Sequence, residues 1–297
     1  MQKILVTGSQ GFIGQETVRF LRNKGFKVYT LDILDGDAQH FKCDITSDLI
    51  ESIIRDTKPE IVVHLAAQVD VTSSMINPFS DLNTNILGTL KVLTACISGN
   101  VNEFIYVGSG GAIYSSSNQM PVSEEGSILP VSPYGVSKFA AEGYVRVLSE
   151  LHGMGWTSLA LSNCYGNIEF HRRGVVYEFF KKISAGYSPI INGAEVTRDF
   201  IHVHDVASAI YLAIGHPVNN RLNISSNSEI SLKELFNEIA SLTNSSVMPS
   251  YLPPREGDVL RSRLDNSRAQ RMLGWAPKIT LNEGLKMNLN EFGQIKW

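Results

Sequence analysis

The sequence predicts an α/β fold built on a doubly wound parallel sheet with helices on both faces. Three observations predict it. Strand-like and helix-like segments alternate through the first half of the chain. A glycine-rich turn, Gly8 to Gly14, joins the first strand to the first helix. The second strand closes on an acidic residue, Asp32. Alternation of this kind builds a sheet whose ligands sit at the carboxyl ends of the strands.

Each element follows from local pattern. Lys3 to Thr7 is a short apolar strand, and Gln15 to Lys24 has helical periodicity. Lys27 to Leu31 is the second strand. A further strand ends at Asp44, and Asp48 to Thr57 is a helix. Glu60 to His64 is an apolar strand, and Asn83 to Gly99 a helix ended by Gly99. Glu103 to Val107 is a strand, Tyr134 to His152 a long helix before Gly153, and Trp156 to Leu161 a strand. After Asn163 the alternation weakens. A helix is expected near Val176 to Ala185, a strand over Arg198 to His202, a helix over Val203 to Gly215 and a strand over Leu222 to Ser225. Ser231 to Leu242 opens on a serine with Glu234 three residues later, a capping-box pattern. Pro253 and Pro254 mark a loop. This half reads as a smaller region that closes over the sheet and is interleaved with it.

Composition narrows the function classes. With 43% hydrophobic and 19% charged residues, the chain can bury an ordinary globular core. A net charge of -3 gives no general attraction to nucleic acid or anionic membrane. Cys43, Cys96 and Cys164 are odd in number and widely spaced, which argues against a disulfide framework and for a reducing compartment. No apolar run reaches membrane-spanning length, and the N-terminus shows no signal-peptide core, so a cytoplasmic location is expected. Two Asn-x-Ser triplets, at Asn223 and Asn244, read as chance matches.

The glycine turn suggests a dinucleotide site. Strand, glycine turn and helix place backbone N–H groups and the positive end of a helix where a pyrophosphate would lie. The spacing is G-x-x-G-x-x-G rather than G-x-G-x-x-G. An acid at Asp32 accepts hydrogen bonds from an adenosine ribose diol and repels a 2'-phosphate, so NAD is the expected cofactor.

A second signal is Tyr134-Gly135-Val136-Ser137-Lys138. On a helix, residues four apart are neighbours. A cation beside a phenol favours the phenolate. Lowering a tyrosine pKa by about three units takes roughly 4 kcal/mol and yields an acid–base group for neutral pH. Alone, the pair also fits a packed tyrosine and a solvated lysine.

Together these segments resemble the extended short-chain dehydrogenase/reductases, in their nucleotide-sugar epimerase branch. The resemblance runs through TGSQGFIG (7–14), CDI (43–45), HLAA (64–67), SGGAIY (109–114), SPYGVSK (132–138), NCYG (163–166), RDFIHVHDVA (198–207) and PREGD (254–258). It implies NAD held by Gly8, Gln10, Gly11, Phe12, Ile13, Gly14, Asp32, Asp44, Ile45, Leu65, Ala66 and Ala67, with Tyr134 and Lys138 at the nicotinamide end. Tyr134 would carry the proton, and Lys138 would lower its pKa and bond the nicotinamide ribose. Most relatives carry Ser or Thr where this chain has Gly110, so Ser109 is assigned as the third catalytic hydroxyl. The dehydratases of the family carry an Asp-Glu pair where this chain reads Gly111-Ala112, which argues against elimination of water. For the substrate, the resemblance implies Ser109, Tyr134, Asn163 (diphosphate), Val175 and Val176 (base), Arg198 and Arg255 (diphosphate), Asp258 (nucleotide ribose) and Ser262 (sugar). Residues 1–162 are expected to bind NAD, and 163–297 mainly the substrate.

The resemblance implies a 4-epimerase acting on a UDP-linked sugar, glucose and galactose or their N-acetyl forms, through a 4-keto intermediate. A 4-keto-6-deoxysugar reductase of the same fold is the alternative, and a non-catalytic NAD-binding regulator a weaker one. Two helices, Asn83–Gly99 and Tyr134–His152, match those that pair across a homodimer interface in the family. His202 and His204 alternate on one strand face, but without a partner cluster no metal is expected. His171-Arg172-Arg173 is read as a solvated basic loop.

Overall fold

The computed structural model describes residues 1–115, 119–167, 174–255 and 259–294. Seven parallel strands form the central sheet: β1 (Lys3–Thr7), β2 (Lys27–Asp32), β3 (His40–Lys42), β4 (Ile61–His64), β5 (Glu103–Ser109), β6 (Gly155–Leu161) and, further along the chain, Arg221–Ile224. Four short strands precede that last one: β7 (Asn163–Tyr165), β8 (Ile190–Asn192), β9 (Thr197–Arg198) and β10 (Phe200–His202). Arg221–Ile224 is therefore β11, and β12 (Ile230–Ser231) and β13 (Ser250–Leu252) follow. The sheet order is β11-β6-β5-β4-β1-β2-β3. The order reverses between β1 and β4, and the crevice at that switch is where such sheets bind ligands.

Helices cover both faces. They are α1 (Phe12–Asn23), α2 (Leu49–Thr57), α3 (Val71–Ile76), α4 (Pro78–Leu82), a π-helical turn (Asn83–Gly88), α5 (Thr89–Ser98), α6 (Gly110–Ile113), α7 (Pro133–His152), α8 (Gly174–Ser184), α9 (Val203–Ala213), α10 (Leu232–Leu242), α11 (Ser267–Leu273) and α12 (Leu281–Gln294). Successive β1 residues serve opposite layers, as strand geometry requires. Ile4 and Val6 pack on the face that carries Val206, Ile210 and Trp275, and Leu5 on the face that carries Val92, Phe104 and Val145. A third core, with Phe179, Phe180 and Phe236, lies under the second half of the chain.

Several expectations hold with small shifts. The first helix starts at Phe12 rather than Gln15, because Gly11 takes the cap position. The capping box is present: Glu234 N–H donates to Ser231 Oγ (3.1 Å), and Ser231 N–H donates to Glu234 Oε2 (2.9 Å). The helix expected over Asn83–Gly99 runs continuously to its cap at Gly99, with a π-helical first part, Asn83–Gly88, and an α-helical rest, Thr89–Ser98. A Cβ at Gly88 would lie 2.6 Å from Ile45 Cδ1, so this turn packs hard on the neighbouring loop. One expectation needs correction: Arg198–His202 is two strands broken at Asp199, whose buried carboxylate accepts from Ser162, Ser226 and the Leu264 N–H.

Among the described residues, no helix is long and apolar enough to cross a membrane.

Candidate active site

The glycine turn sits at the switch point. Gly8 has φ +68°, and a Cβ there would lie 2.5 Å from the Ala66 nitrogen, so the ends of β1 and β4 touch backbone to backbone. A Cβ at Gly14 would lie 2.1 Å from the Gly8 carbonyl oxygen. Only glycine allows this close passage of helix over loop. The turn thus presents the N-terminus of α1, carrying Gly11, Phe12 and Ile13, to the crevice. Asp32 closes β2 beside it. Its carboxylate accepts from the Gln10 N–H (2.9 Å) and the Leu34 N–H (3.1 Å), which fixes it at the mouth of the turn. Asp44 is exposed and accepts from Thr46 N–H and Oγ1 (both 2.8 Å). Ile45 is 4% exposed and belongs to the core, so its side chain supports the site rather than lining it. Leu65, Ala66 and Ala67 leave the end of β4 partly exposed, on the far side of the crevice.

Tyr134 and Lys138 lie in the first turns of α7. Pro133 starts that helix, and Ser132 caps it by accepting the Gly135 N–H (3.2 Å). Proline at the first helical position and serine at the cap both favour a helix start here. Ser109 ends β5 near the Tyr134 phenol, where its hydroxyl favours the phenolate. A Cβ at Gly110 would lie 2.5 Å from Leu264 Cδ1, so a side chain there would require that leucine to shift. Lys138 Nζ donates to the Val107 carbonyl (2.8 Å) and lies 4.5 Å from the centre of the Tyr106 ring.

The electrostatics differ from expectation. Burial pushes the Tyr134 phenol above its ordinary pKa, and the neighbouring Ser109 only partly offsets this; the nearby Asp81 charge raises it further. Lys138 was expected to lower the phenol, but it is committed to Val107 and the Tyr106 ring and is itself brought down to about 8 by burial, against Glu142 and Asp81.

The structure gathers part of the expected substrate set. Asn163, Val175 and Val176 line one cavity of about 70 Å³, with Tyr165 and Phe200 behind them. Asn163 Oδ1 is buried and has no partner among the described residues. Ser262 is 4% exposed and faces Gly111 in a neighbouring small cavity; a Cβ at Gly111 would lie 3.8 Å from Ser262 Oγ and 3.5 Å from Asn163 Oδ1. Arg198 Nη1 donates to the Thr197 (2.8 Å) and Val259 (2.6 Å) carbonyls, which ties it to the segment before Ser262. Arg255 is exposed. Asp258 and His171-Arg172-Arg173 lie outside the described residues.

His202 and His204 do not share a strand face. His202 ends β10, and its Nδ1 accepts from the His204 N–H (3.3 Å) at the start of α9. His204 Nδ1 meets Glu16 Oε1 at 2.9 Å. Among the described residues, no group of three or more His, Cys, Asp or Glu is placed to hold a metal.

Sequence reasoning missed the polar network behind α7. His64 is fully enclosed between Thr7 Oγ1 (2.9 Å) and Thr89 Oγ1 (3.0 Å), and burial brings its pKa down to about 3. Asp81, Asn85 and Gln68 form a second cluster beside it. The only available signal was the density of small polar residues in a segment that otherwise reads as helix.

Residues 4–225 match the model of the NAD dependent epimerase/dehydratase family. The chain belongs to this family. Its cofactor is NAD, and the glycine turn with its missing side chains and the fixed Asp32 fit that group. Among family members, the chain is 37% identical to a putative UDP-glucose 4-epimerase of Methanocaldococcus jannaschii, over 97% of both chains. It superposes on UDP-glucose 4-epimerase of Thermotoga maritima, solved with UDP-glucose, with a TM-score of 0.94 and 35% identity over 99% of both chains. The Thermus thermophilus UDP-glucose 4-epimerase complex with NAD gives a TM-score of 0.92 at 30% identity, covering 99% of this chain and all of that one. A dTDP-4-dehydro-6-deoxyglucose reductase of Escherichia coli is also similar, at 28% identity over 95% of both chains.

Proposed function

We propose that this protein is an NAD-dependent nucleotide-sugar 4-epimerase acting on UDP-hexoses or their N-acetyl forms. The observation that carries the reading is that Ser109 stands near enough to the Tyr134 phenol to favour its phenolate, one helical turn from Lys138. Bound NAD supplies hydride acceptor and donor chemistry at its nicotinamide. Tyr134 takes the proton of the sugar 4-hydroxyl as C4 is oxidised, and returns it to the same oxygen after the 4-keto sugar has turned over. Ser109 holds that oxygen and the phenol in line. Lys138 supplies a buried positive charge and bonds the nicotinamide ribose. Gly8, Gln10, Gly11, Phe12, Ile13 and Gly14 cradle the pyrophosphate, and Asp32 takes the adenosine ribose. Asp44 to Ile45 and Leu65 to Ala67 bound the adenine and nicotinamide sides.

The substrate's diphosphate falls to Asn163, Arg198 and Arg255, a suitable use of guanidinium groups. Val175 and Val176 lie against the base, and Asp258 holds its ribose. Ser262 leaves room at the sugar, so N-acetyl forms are admitted. Residues 1–162 carry the cofactor and 163–297 most of the substrate site, with α9 and β11 returning to the sheet. The exposed side chains of Val136, Val147 and Leu151 on α7 and of Leu82 and Leu87 before α5 support a homodimer.

The similarity to a deoxysugar reductase favours a second reading, reduction of a nucleotide 4-keto-6-deoxysugar. The α6 residues Gly110–Ile113 carry no ionisable side chain, so neither reading involves elimination of water there. Tyr134→Phe keeps the ring but removes the proton carrier. Turnover of UDP-galactose should fall by about 10² or more with binding largely kept. Turnover close to that of the unmodified protein would remove Tyr134 from the mechanism.

A further inference from the structure

We infer that Asp81 is a positioning residue for the acid–base pair: buried behind α7, it clamps the first turn of that helix through Asn85 and Ser137 and supplies a fixed negative charge to it.

Asp81 is 1% exposed, yet its Oδ2 has no partner among the described residues. Burying a carboxylate without a cation in direct contact is costly, so its place needs a reason. Its Oδ1 accepts from Gln68 Nε2 (2.9 Å) and Asn85 Nδ2 (3.1 Å). Asn85 is locked in turn: its Oδ1 accepts the Gln68 N–H (2.8 Å), and its Nδ2 also donates to Ser137 Oγ (3.1 Å). Ser137 then donates to the Tyr134 carbonyl (3.0 Å). A continuous chain of hydrogen bonds therefore joins Asp81 to the backbone between Tyr134 and Lys138. The π-helical turn matters here, because it sets Asn85 between Asp81 and Ser137, and such turns recur at functional sites.

The charge acts on the same pair. Asp81 favours the protonated form of both Tyr134 and Lys138. The other ionisable groups around Lys138 are Glu142 on its own helix, which also favours the ammonium, the neutral His64 on β4, Tyr106 on β5 and Tyr134 itself. Of the two carboxylates, Glu142 is neutralised by Arg221 at 2.5 Å, whereas Asp81 has no such cation among the described residues. Asp81 is therefore the less compensated countercharge to Lys138.

The inference rests on the reading of Tyr134 and Lys138 as the acid–base pair, so its test includes a readout that needs no substrate. Lysine carrying a labelled ε-carbon is followed by NMR against pH, in protein as purified and with matched cofactor content; Lys138→Met assigns the signal. Asp81→Asn should move the Lys138 midpoint downward, and the alkaline limb of the kcat profile should move with it. Asp81→Ser, smaller and able to admit water, should do the same if the amide prevents folding. Unchanged midpoints in folded variants would overturn the inference, even if activity fell. Shifted midpoints without sugar turnover in any variant would keep it and overturn the epimerase reading.

Discussion

Glu103 offers a test of the burial argument away from the active site. It opens β5 at the amino end of the sheet and is 3% exposed. Its Oε2 accepts the Gly215 N–H at 2.7 Å, while Oε1 has no partner among the described residues. Burial raises its pKa from an ordinary 4.5 to about 7. Below the ordinary value the carboxyl is protonated in folded and unfolded chains alike, and its contribution to stability is fully present. As pH rises, the unfolded chain ionises first, and that contribution is lost until the folded group ionises near 7. At about 1.4 kcal/mol per pKa unit, the interval amounts to a loss of about 3 kcal/mol. Glu103→Gln copies the neutral acid, keeps an oxygen for Gly215 and cannot ionise. Urea unfolding at matched protein and NAD concentrations should show the variant gaining on the unmodified protein as pH rises from about 4.5 to about 7, by about 3 kcal/mol in total, and levelling off above that. A difference between the two that stays constant with pH would refute the reasoning.

Gly14→Ala would bring a methyl carbon to 2.1 Å from the Gly8 carbonyl, so the turn must open and NAD binding should weaken by about 10-fold or more; unaltered affinity by calorimetry would count against the cradle. Asp32 should make cofactor-free protein prefer NAD over NADP, and equal or tighter binding of NADP would contradict its role. The α7 face predicts a dimer at micromolar concentration, broken by Val147→Asp; a monomer mass for the unmodified protein in light scattering would rule that out. Ser262→Tyr should suppress turnover of UDP-N-acetylglucosamine more than of UDP-glucose, and equal losses would remove Ser262 from sugar selection.

Local signals were the legible ones. The β1–Gly8–α1 unit, Asp32 at the end of β2 and the Ser231–Glu234 capping box each depend on a few adjacent residues, and sequence resolves such features well. Tertiary features were not legible. The break at Asp199 is forced by a carboxylate that reaches Ser162, Ser226 and Leu264, none of them close in sequence. The π-helical turn follows from Asn85 bonding Gln68, Asp81 and Ser137 while Gly88 packs on Ile45. The direction of the Tyr134 shift was misjudged for a similar reason. Four-residue spacing places Lys138 beside Tyr134, but it does not reveal that the ammonium is held by Val107 or that burial outweighs it.

The most direct measurement of the central claim is incubation of the purified protein with UDP-galactose and no added cofactor, followed by chromatography. An epimerase returns its hydride in every cycle, so UDP-glucose should form catalytically with no net change in nicotinamide absorbance. No conversion of any UDP-hexose or UDP-N-acetylhexosamine, together with oxidation of added NADH or NADPH by a nucleotide 4-keto-6-deoxysugar, would contradict the account and establish the reductase.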